Sequence, residues 1–172
     1  MKDSYDDGVL LSGIIYLYSI NDVRMDGPSL KNLRMMRKLC GTDSLKNVVL
    51  VTTMWEKVDK SQGLKRELEL RVVFWKEMID DGCTVARIMT ETGDEARELV
   101  TSLLKNKPLS TKLQEELRSG KTLVQTEAGT EIRAEIVKLV EKLRKDHEAD
   151  IADLRLARSE EHTSELQSPP LS

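Results

Sequence analysis

The sequence predicts an α/β protein built on a parallel sheet of about three strands with flanking helices, followed by a long C-terminal helix. Apolar runs of strand length recur at residues 9–20, 47–53 and 83–89, and a segment with helical apolar spacing follows each run. Strands and helices that alternate over short connections form right-handed crossovers, which place a parallel sheet between helical layers.

The first two runs, VLLSGIIYLYSI and NVVLVTT, are almost continuously apolar, which is typical of strands buried on both faces. The third run, CTVARIM, is shorter. The spacing predicts helices over 29–40, 63–82 and 93–107, and glycine or proline ends each of them. The inward faces predicted for the second and third helices comprise Leu64, Leu68, Val72, Trp75 and Ile79, and Ala96, Leu99, Val100, Leu103 and Leu104.

The character of the chain changes after Pro108. A short helix is predicted over 111–120, and a long one from about residue 130. The positions on one face of this helix are spaced three or four residues apart, and the heptad register has a stutter beyond Leu143. They are Ile132, Ile136, Leu139, Leu143, His147, Ile151 and Leu154. Residues 108–157 are therefore expected to form a helical extension to a domain of residues 1–107. The long helix is expected to project or to pair through residues 130–154, in a homo-oligomer or with a helical partner; the alternative is that it covers the sheet.

Residues 158–172 differ from the rest. RSEEHTSELQS, at 158–168, is the in-frame translation of a widely used short-read sequencing adapter. We expect this segment to be disordered and to derive from the adapter; the alternative is a native disordered tail. A reading frame that ends in an adapter also suggests that the start is truncated.

The amino-acid composition excludes some classes of function for this chain. The formal net charge is -3, and no basic stripe with interleaved aromatic residues indicates a nucleic-acid partner. No apolar run reaches the roughly 20 residues of a membrane span. The two cysteines, Cys40 and Cys83, end apolar segments and are expected to be reduced core residues. A cytoplasmic protein with no membrane and no nucleic-acid partner is the expectation.

The second strand ends in TTMWEK, where Thr53, Met54, Trp55 and Glu56 follow the apolar run. Ligands of open α/β sheets bind at the carboxyl ends of strands, so these residues are candidates for a binding site. Spacing alone favours a plainer interpretation, in which Trp55 belongs to the core and Glu56 caps the next helix.

GIIYLYSINDVRMDGPSLKNLRMMRKLCG, followed by NVVLVTTMWEKV, resembles a group of fungal P-loop GTP-binding proteins whose G domain is related to septin and immune-associated GTPases. The resemblance covers residues 5–104. Tyr18 and Ser19 replace a usual His-Arg pair, and Glu56 replaces a usual Asp.

The resemblance implies a partial three-layer P-loop NTPase fold and a site for GTP or GDP. Thr53, Met54, Trp55 and Glu56 would correspond to the guanine-recognition motif, in which a carboxylate accepts hydrogen bonds from the base. Thr53 would tie the loop to neighbouring backbone, and Trp55 would shield the base or anchor the next helix. The loop after the third strand, with Thr90, Glu91 and Thr92, would contact the guanine carbonyl through backbone amides; the alternative is an ordinary strand-to-helix turn.

The phosphate-binding and catalytic motifs of a GTPase are not found. GxxxxGK[ST] and a DxxG before the first strand are both missing, and SGKT at 119–122 follows a predicted helix and has no glycine at the required spacing. The expectation is a fragment that recognises guanine without catalytic or metal-binding residues, whose parent binds GTP with Mg²⁺. The alternatives are a non-catalytic scaffold with a coiled-coil arm and, more weakly, an unrelated enzyme.

Overall fold

A computed structural model describes residues 9–22 and 25–166 of the chain, with side chains up to residue 158. Its sheet has three parallel strands in the order β1-β2-β3, namely β1 (Ile14–Ser19), β2 (Val48–Thr53) and β3 (Thr84–Arg87). The predicted α/β class and three-stranded parallel sheet are therefore confirmed.

Strand β1 is shorter than the apolar run that predicted it. Leu11 lies outside the sheet and pairs in antiparallel fashion with Leu109, through two backbone hydrogen bonds of 3.0 Å. Gly13 stands at the point of departure, and a Cβ atom built there would lie 2.6 Å from the Leu103 side chain. The close approach of that leucine leaves room only for glycine before β1.

Within the described residues the chain also forms six α-helices. They are α1 (Gly27–Cys40), α2 (Lys60–Glu69), α3 (Lys76–Asp80), α4 (Asp94–Leu103), α5 (Lys112–Arg118) and α6 (Glu127–Leu166). Asp26 begins α1 by accepting a 2.8 Å hydrogen bond from the Ser29 amide, and Gly41 ends the helix with a φ of 71°. A π-helical turn, Leu70–Phe74, joins α2 to α3.

The two faces of the sheet have separate cores. Alternate residues of β2 point to opposite sides, so Val48 and Leu50 belong to one core and Val49 and Val51 to the other. Helices α1 to α3 cover the first face with, among others, Leu33, Cys40, Leu70, Trp75 and Met78. Helix α4 covers the second face with Leu103 and Leu99. The sheet therefore lies between helical layers.

The inward face predicted for the helix at 63–82 is wrong over its first half. Leu64, Leu68 and Val72 are exposed, whereas Gly63, Glu67 and Leu70 are buried. The π turn explains why a regular spacing failed: the Trp75 amide donates to the Leu70 carbonyl at 2.7 Å, five residues back, which shifts the helical register. Trp75 and Met78 consequently face the same core as Leu70.

The inward face predicted for α4 is too wide. Leu103 is buried and Leu99 packs against the second core, but Val100 and Leu104 are exposed. A single helix meets the sheet along one line, so the i, i+4 pair of Leu99 and Leu103 packs against the sheet and its neighbours do not.

The chain divides into two compact units, residues 1–129 and 130–172. Residues 108–129, predicted to belong to a helical extension, are part of the first unit. The Gln114 side-chain amide donates to the Val9 carbonyl at 2.8 Å, and Lys112 packs against Gly41. In the second unit α6 continues to Leu166, through residues predicted to be disordered, because Glu and Leu in SEEHTSEL favour helix. Residues 167–172 lie outside the described part of the chain.

Among the helices of the described residues, none is long and apolar enough to cross a bilayer.

Trp75 is fully buried and meets the Tyr18 ring edge-to-face at 6.1 Å. We expect Trp75→Ala to lower the free energy of unfolding by about 3–5 kcal/mol. Trp75→Phe should cost clearly less, because the indole Nε1 is buried without a hydrogen-bond partner among the described residues and phenylalanine removes it. Urea denaturation measures both values, and equal losses would contradict this account.

Alkaline pH should destabilise the first unit. Burial raises the pKa of Cys40 from 9.0 to about 11 and that of Cys83 to about 12, and it raises the pKa of Tyr18 from 10.0 to about 12. The unfolded chain loses these protons first, so the free energy of unfolding should be constant below about pH 9 and fall between pH 9 and 12. Denaturation across this range tests the expectation. In a Cys40→Ser/Cys83→Ser variant the free energy of unfolding should begin to fall at a pH about one unit higher.

Candidate functional site

The three strand ends meet at the carboxyl edge of the sheet. The Ile20 amide donates to the Thr53 carbonyl and the Ile88 amide to the Thr52 carbonyl, both at 2.9 Å. The loops that follow β1, β2 and β3 are thereby linked side by side. This is the edge at which open α/β sheets bind their ligands.

The turn after β2 has a special backbone. Met54 has φ 61° and ψ 36°, and it is the only non-glycine residue with positive φ in the described part of the chain. A single 3₁₀ turn, Trp55–Lys57, follows it. The left-handed region is unfavourable for methionine, so surrounding contacts must hold this conformation. The turn leaves Met54 and Glu56 exposed at the edge of the sheet.

Thr53 connects this turn to the neighbouring strand. Its hydroxyl donates to the backbone carbonyl of Tyr18 in β1 at 3.4 Å. The tie to neighbouring backbone expected of Thr53 is thus present in the structure.

Trp55 is buried and anchors the turn to α2. Its indole Nε1 donates to the Thr52 hydroxyl at 3.0 Å, and a Cβ atom built on Gly63 would lie 2.9 Å from the indole ring. The guanidinium of Arg87 lies 4.9 Å from the ring centroid, within the range of a cation–π contact. Of the two roles expected for Trp55, anchoring the next helix is the one these contacts perform.

An ion pair between a buried carboxylate and a partly exposed guanidinium lies next to the tryptophan. Glu67 is 3% exposed and its carboxylate accepts hydrogen bonds from Arg87, with the Nε atom at 2.9 and 3.0 Å from the two oxygens and the Nη2 atom making a further bond. The Thr52 hydroxyl also donates to this carboxylate, at 3.4 Å. Hydrogen bonding to Glu67 raises the pKa of Arg87. The bidentate geometry compensates for the burial of the carboxylate.

Helix α2 contacts all three strand ends through one face. Gly63 meets Trp55 after β2, and Glu67 pairs with Arg87 at the end of β3. Arg66 donates to the Ile20 and Asn21 carbonyls after β1, at 2.9 and 3.0 Å. The geometry of the carboxyl edge therefore depends on this helix.

The conformation of the loop after β3 is held by α4, the helix that follows it. The Glu95 carboxylate of α4 accepts hydrogen bonds from the Met89 and Thr90 amides, at 2.6 and 2.9 Å. Thr90, Glu91 and Thr92 are exposed, and the Thr90 and Thr92 hydroxyls lie 3.1 Å apart. The Thr90 amide expected to meet a guanine carbonyl is already engaged, so Glu95 would have to release it first.

Sequence reasoning missed three residues that organise this edge, namely Arg66, Glu67 and Arg87. The one available signal was Arg87, a charged residue near the end of an otherwise apolar strand. Nothing in the spacing indicated that Glu67 faces the sheet, because the leucines beside it suggested a different inward face.

The segment 119–122, SGKT, has no phosphate-binding geometry. It follows α5, and the Lys121 ammonium bonds to the Glu116 carboxylate at 2.8 Å. Within residues 9–22 and 25–166, no cluster of three His, Cys, Asp or Glu side chains could hold a metal ion.

Comparisons with protein-family models, curated proteins and solved structures find no match for the chain.

The ion pair allows a directional test. We expect Arg87→Met to lower the free energy of unfolding by about 3 kcal/mol, because it leaves the Glu67 carboxylate buried without its bidentate partner. Glu67→Gln should cost only about 1 kcal/mol, because the Arg87 side chain is 41% exposed and can reach water.

The matched control is Arg97→Met, which removes a surface pair with Asp94 and should cost less than about 0.5 kcal/mol. Urea denaturation compares the three variants. A larger loss for Glu67→Gln than for Arg87→Met would show that the carboxylate is not the buried, dependent partner.

Proposed function

We propose that the chain recognises a guanine base at the carboxyl edge of its sheet, as the guanine-recognition half of a GTP-binding protein. The observation that carries the proposal is the exposed Glu56 carboxylate, which directly follows a left-handed Met54 and a buried Trp55 in the turn after β2. A turn that is strained yet firmly anchored is a feature of sites where geometry serves binding.

The chemistry of the base selects the partner. Guanine carries adjacent N–H and amino donors on one edge, and a carboxylate accepts from both. Adenine lacks this donor pair, so a site built on the carboxylate discriminates against adenine. Glu56 is one methylene longer than aspartate, and its exposure leaves the side chain free to adopt the reach that the base requires.

The proposal is limited to recognition of the base. The sequence contains no GxxxxGK[ST] motif, and no residue is assigned to phosphate transfer or to Mg²⁺. GTP or GDP would be bound through the base alone, with a dissociation constant on the order of 1 mM.

A second candidate function is that of a non-catalytic scaffold that associates through its long helix. The observation that favours it is the row of exposed apolar side chains along residues 132–154 of α6. Large apolar side chains exposed along a helix face are typical of interaction surfaces.

Base recognition can be tested by NMR titration of the full chain with GMP and with AMP. We expect GMP to shift the amide signals of residues 53–57 and 88–92, and AMP at the same concentration to leave them unchanged. Glu56→Gln should abolish the GMP shifts, because the amide cannot accept both hydrogen bonds.

The control variant is Glu98→Gln, which removes an exposed carboxylate from α4 and should preserve the GMP shifts. Equal shifts with GMP and AMP, or shifts that survive Glu56→Gln, would overturn the proposal.

A further inference from the structure

Seven residues spaced three or four apart on α6 form one exposed stripe, defined as Ile132, Ile136, Leu139, Leu143, His147, Ile151 and Leu154. Val137, Val140 and Leu156 are further exposed apolar residues of the helix that do not belong to this series. The six aliphatic side chains of the stripe are between 36% and 70% exposed, and His147 is exposed as well. The positions average about 3.7 residues per turn, which is close to the natural period of a helix. The stripe therefore stays on one side of a nearly straight helix and can meet a second helix over several turns.

The spacing of the stripe is symmetric. From Ile136 to Leu154 the steps are three, four, four, four and three residues, so the series is the same in both directions, with Lys145 at its midpoint. If two copies of the helix lie antiparallel with these midpoints aligned, Ile136 of one copy is level with Leu154 of the other. Leu139 is then level with Ile151, and Leu143 with His147. Every layer between Ile136 and Leu154 is filled from both sides.

The charges of the helix are divided at the same midpoint. Residues 138–145 contain four basic residues and one acidic residue, whereas residues 146–153 contain four acidic residues and neither Lys nor Arg. Antiparallel alignment sets the basic half of each copy against the acidic half of the other. Parallel alignment in register would set like charges together. Flanking charges of this kind fix the orientation of paired helices.

We infer that α6 pairs with a second copy of itself in an antiparallel homodimer centred near Lys145. Two independent features, the symmetry of the apolar steps and the division of charge, select the same midpoint. The symmetric part of the stripe, from Ile136 to Leu154, lies before residue 158, so the pairing of these layers does not need the adapter-like segment. This inference rests on the scaffold function proposed above and is independent of guanine recognition.

Single cysteines can measure the orientation. Ile136→Cys and Leu154→Cys are made in separately tagged full chains, mixed in equal amounts and oxidised mildly. We expect the mixed disulfide to exceed either symmetric disulfide several-fold. In the antiparallel dimer two copies of position 136 lie about 27 Å apart, far beyond the reach of a disulfide. The native Cys40 and Cys83 are buried, and burial raises the pKa of both thiols, so the background should be low.

The matched control is Lys138→Cys mixed with Leu154→Cys. Position 138 is close to 136 along the chain but lies on the opposite side of the helix, so no mixed disulfide should form. Symmetric disulfides in excess would establish a parallel dimer and overturn the inference while leaving the scaffold function intact. A monomer mass by light scattering, with no cross-link, would overturn both.

Charge reversal provides a second readout. In the antiparallel dimer Arg144 of each copy lies near Glu148 of the other. Arg144→Glu and Glu148→Arg should therefore each weaken dimerisation by about fivefold or more at low salt, and the double variant should return to within about twofold of the original chain. Circular dichroism checks that helix content is unchanged. Single reversals that strengthen dimerisation would indicate the parallel arrangement and contradict the inference.

Discussion

The carboxylate of Glu67 is buried between α2 and the sheet, and the geometry of the carboxyl edge depends on it. Arg87 at the end of β3 binds it with two nitrogen atoms, and the Thr52 hydroxyl at the end of β2 donates to it. Thr52 in turn accepts from the Trp55 indole. A buried charge is stable only when its hydrogen bonds are made, so this one group constrains a helix, two strand ends and a turn together.

The contacts made around Glu67 also determine the conformation of the turn after β2. Trp55 is held from below by Thr52, on one side by Gly63 and over its ring by Arg87, and this fixed tryptophan keeps Met54 in a left-handed conformation. Glu56 is exposed as a result. The edge thus combines a rigid support with an exposed carboxylate, and this combination is what the proposed guanine site would use.

The two compact units of the chain differ in how their apolar and charged side chains are arranged. The first is stabilised by apolar cores on both faces of a sheet and by the ion pair at its edge. The second is a helix whose apolar side chains are exposed and whose charges are segregated along its length. A single helix cannot bury its own stripe, and the proposed second copy of the helix would cover it. The proposed recognition of a base and the proposed association of helices can therefore be tested separately.

The sequence alone determined the class of the fold, because strand-length apolar runs alternate with helical spacing and because caps such as Asp26 and Gly41 act locally. It also determined the symmetric stripe of α6, since position along a helix follows directly from residue number. Only the tertiary structure decided which side of α2 faces the sheet. Leu64 and Leu68 suggested one side, but the contacts of Gly63 and Glu67 and the π turn at Leu70–Phe74 selected another.

Part of the candidate site could likewise be predicted from the sequence, and part depended on the tertiary structure. The position of Thr53 to Glu56 at a strand end was readable from the chain. The contacts of Arg66 and Arg87 join residues distant in sequence, and the left-handed Met54 is a strained backbone conformation, so no local pattern encodes them.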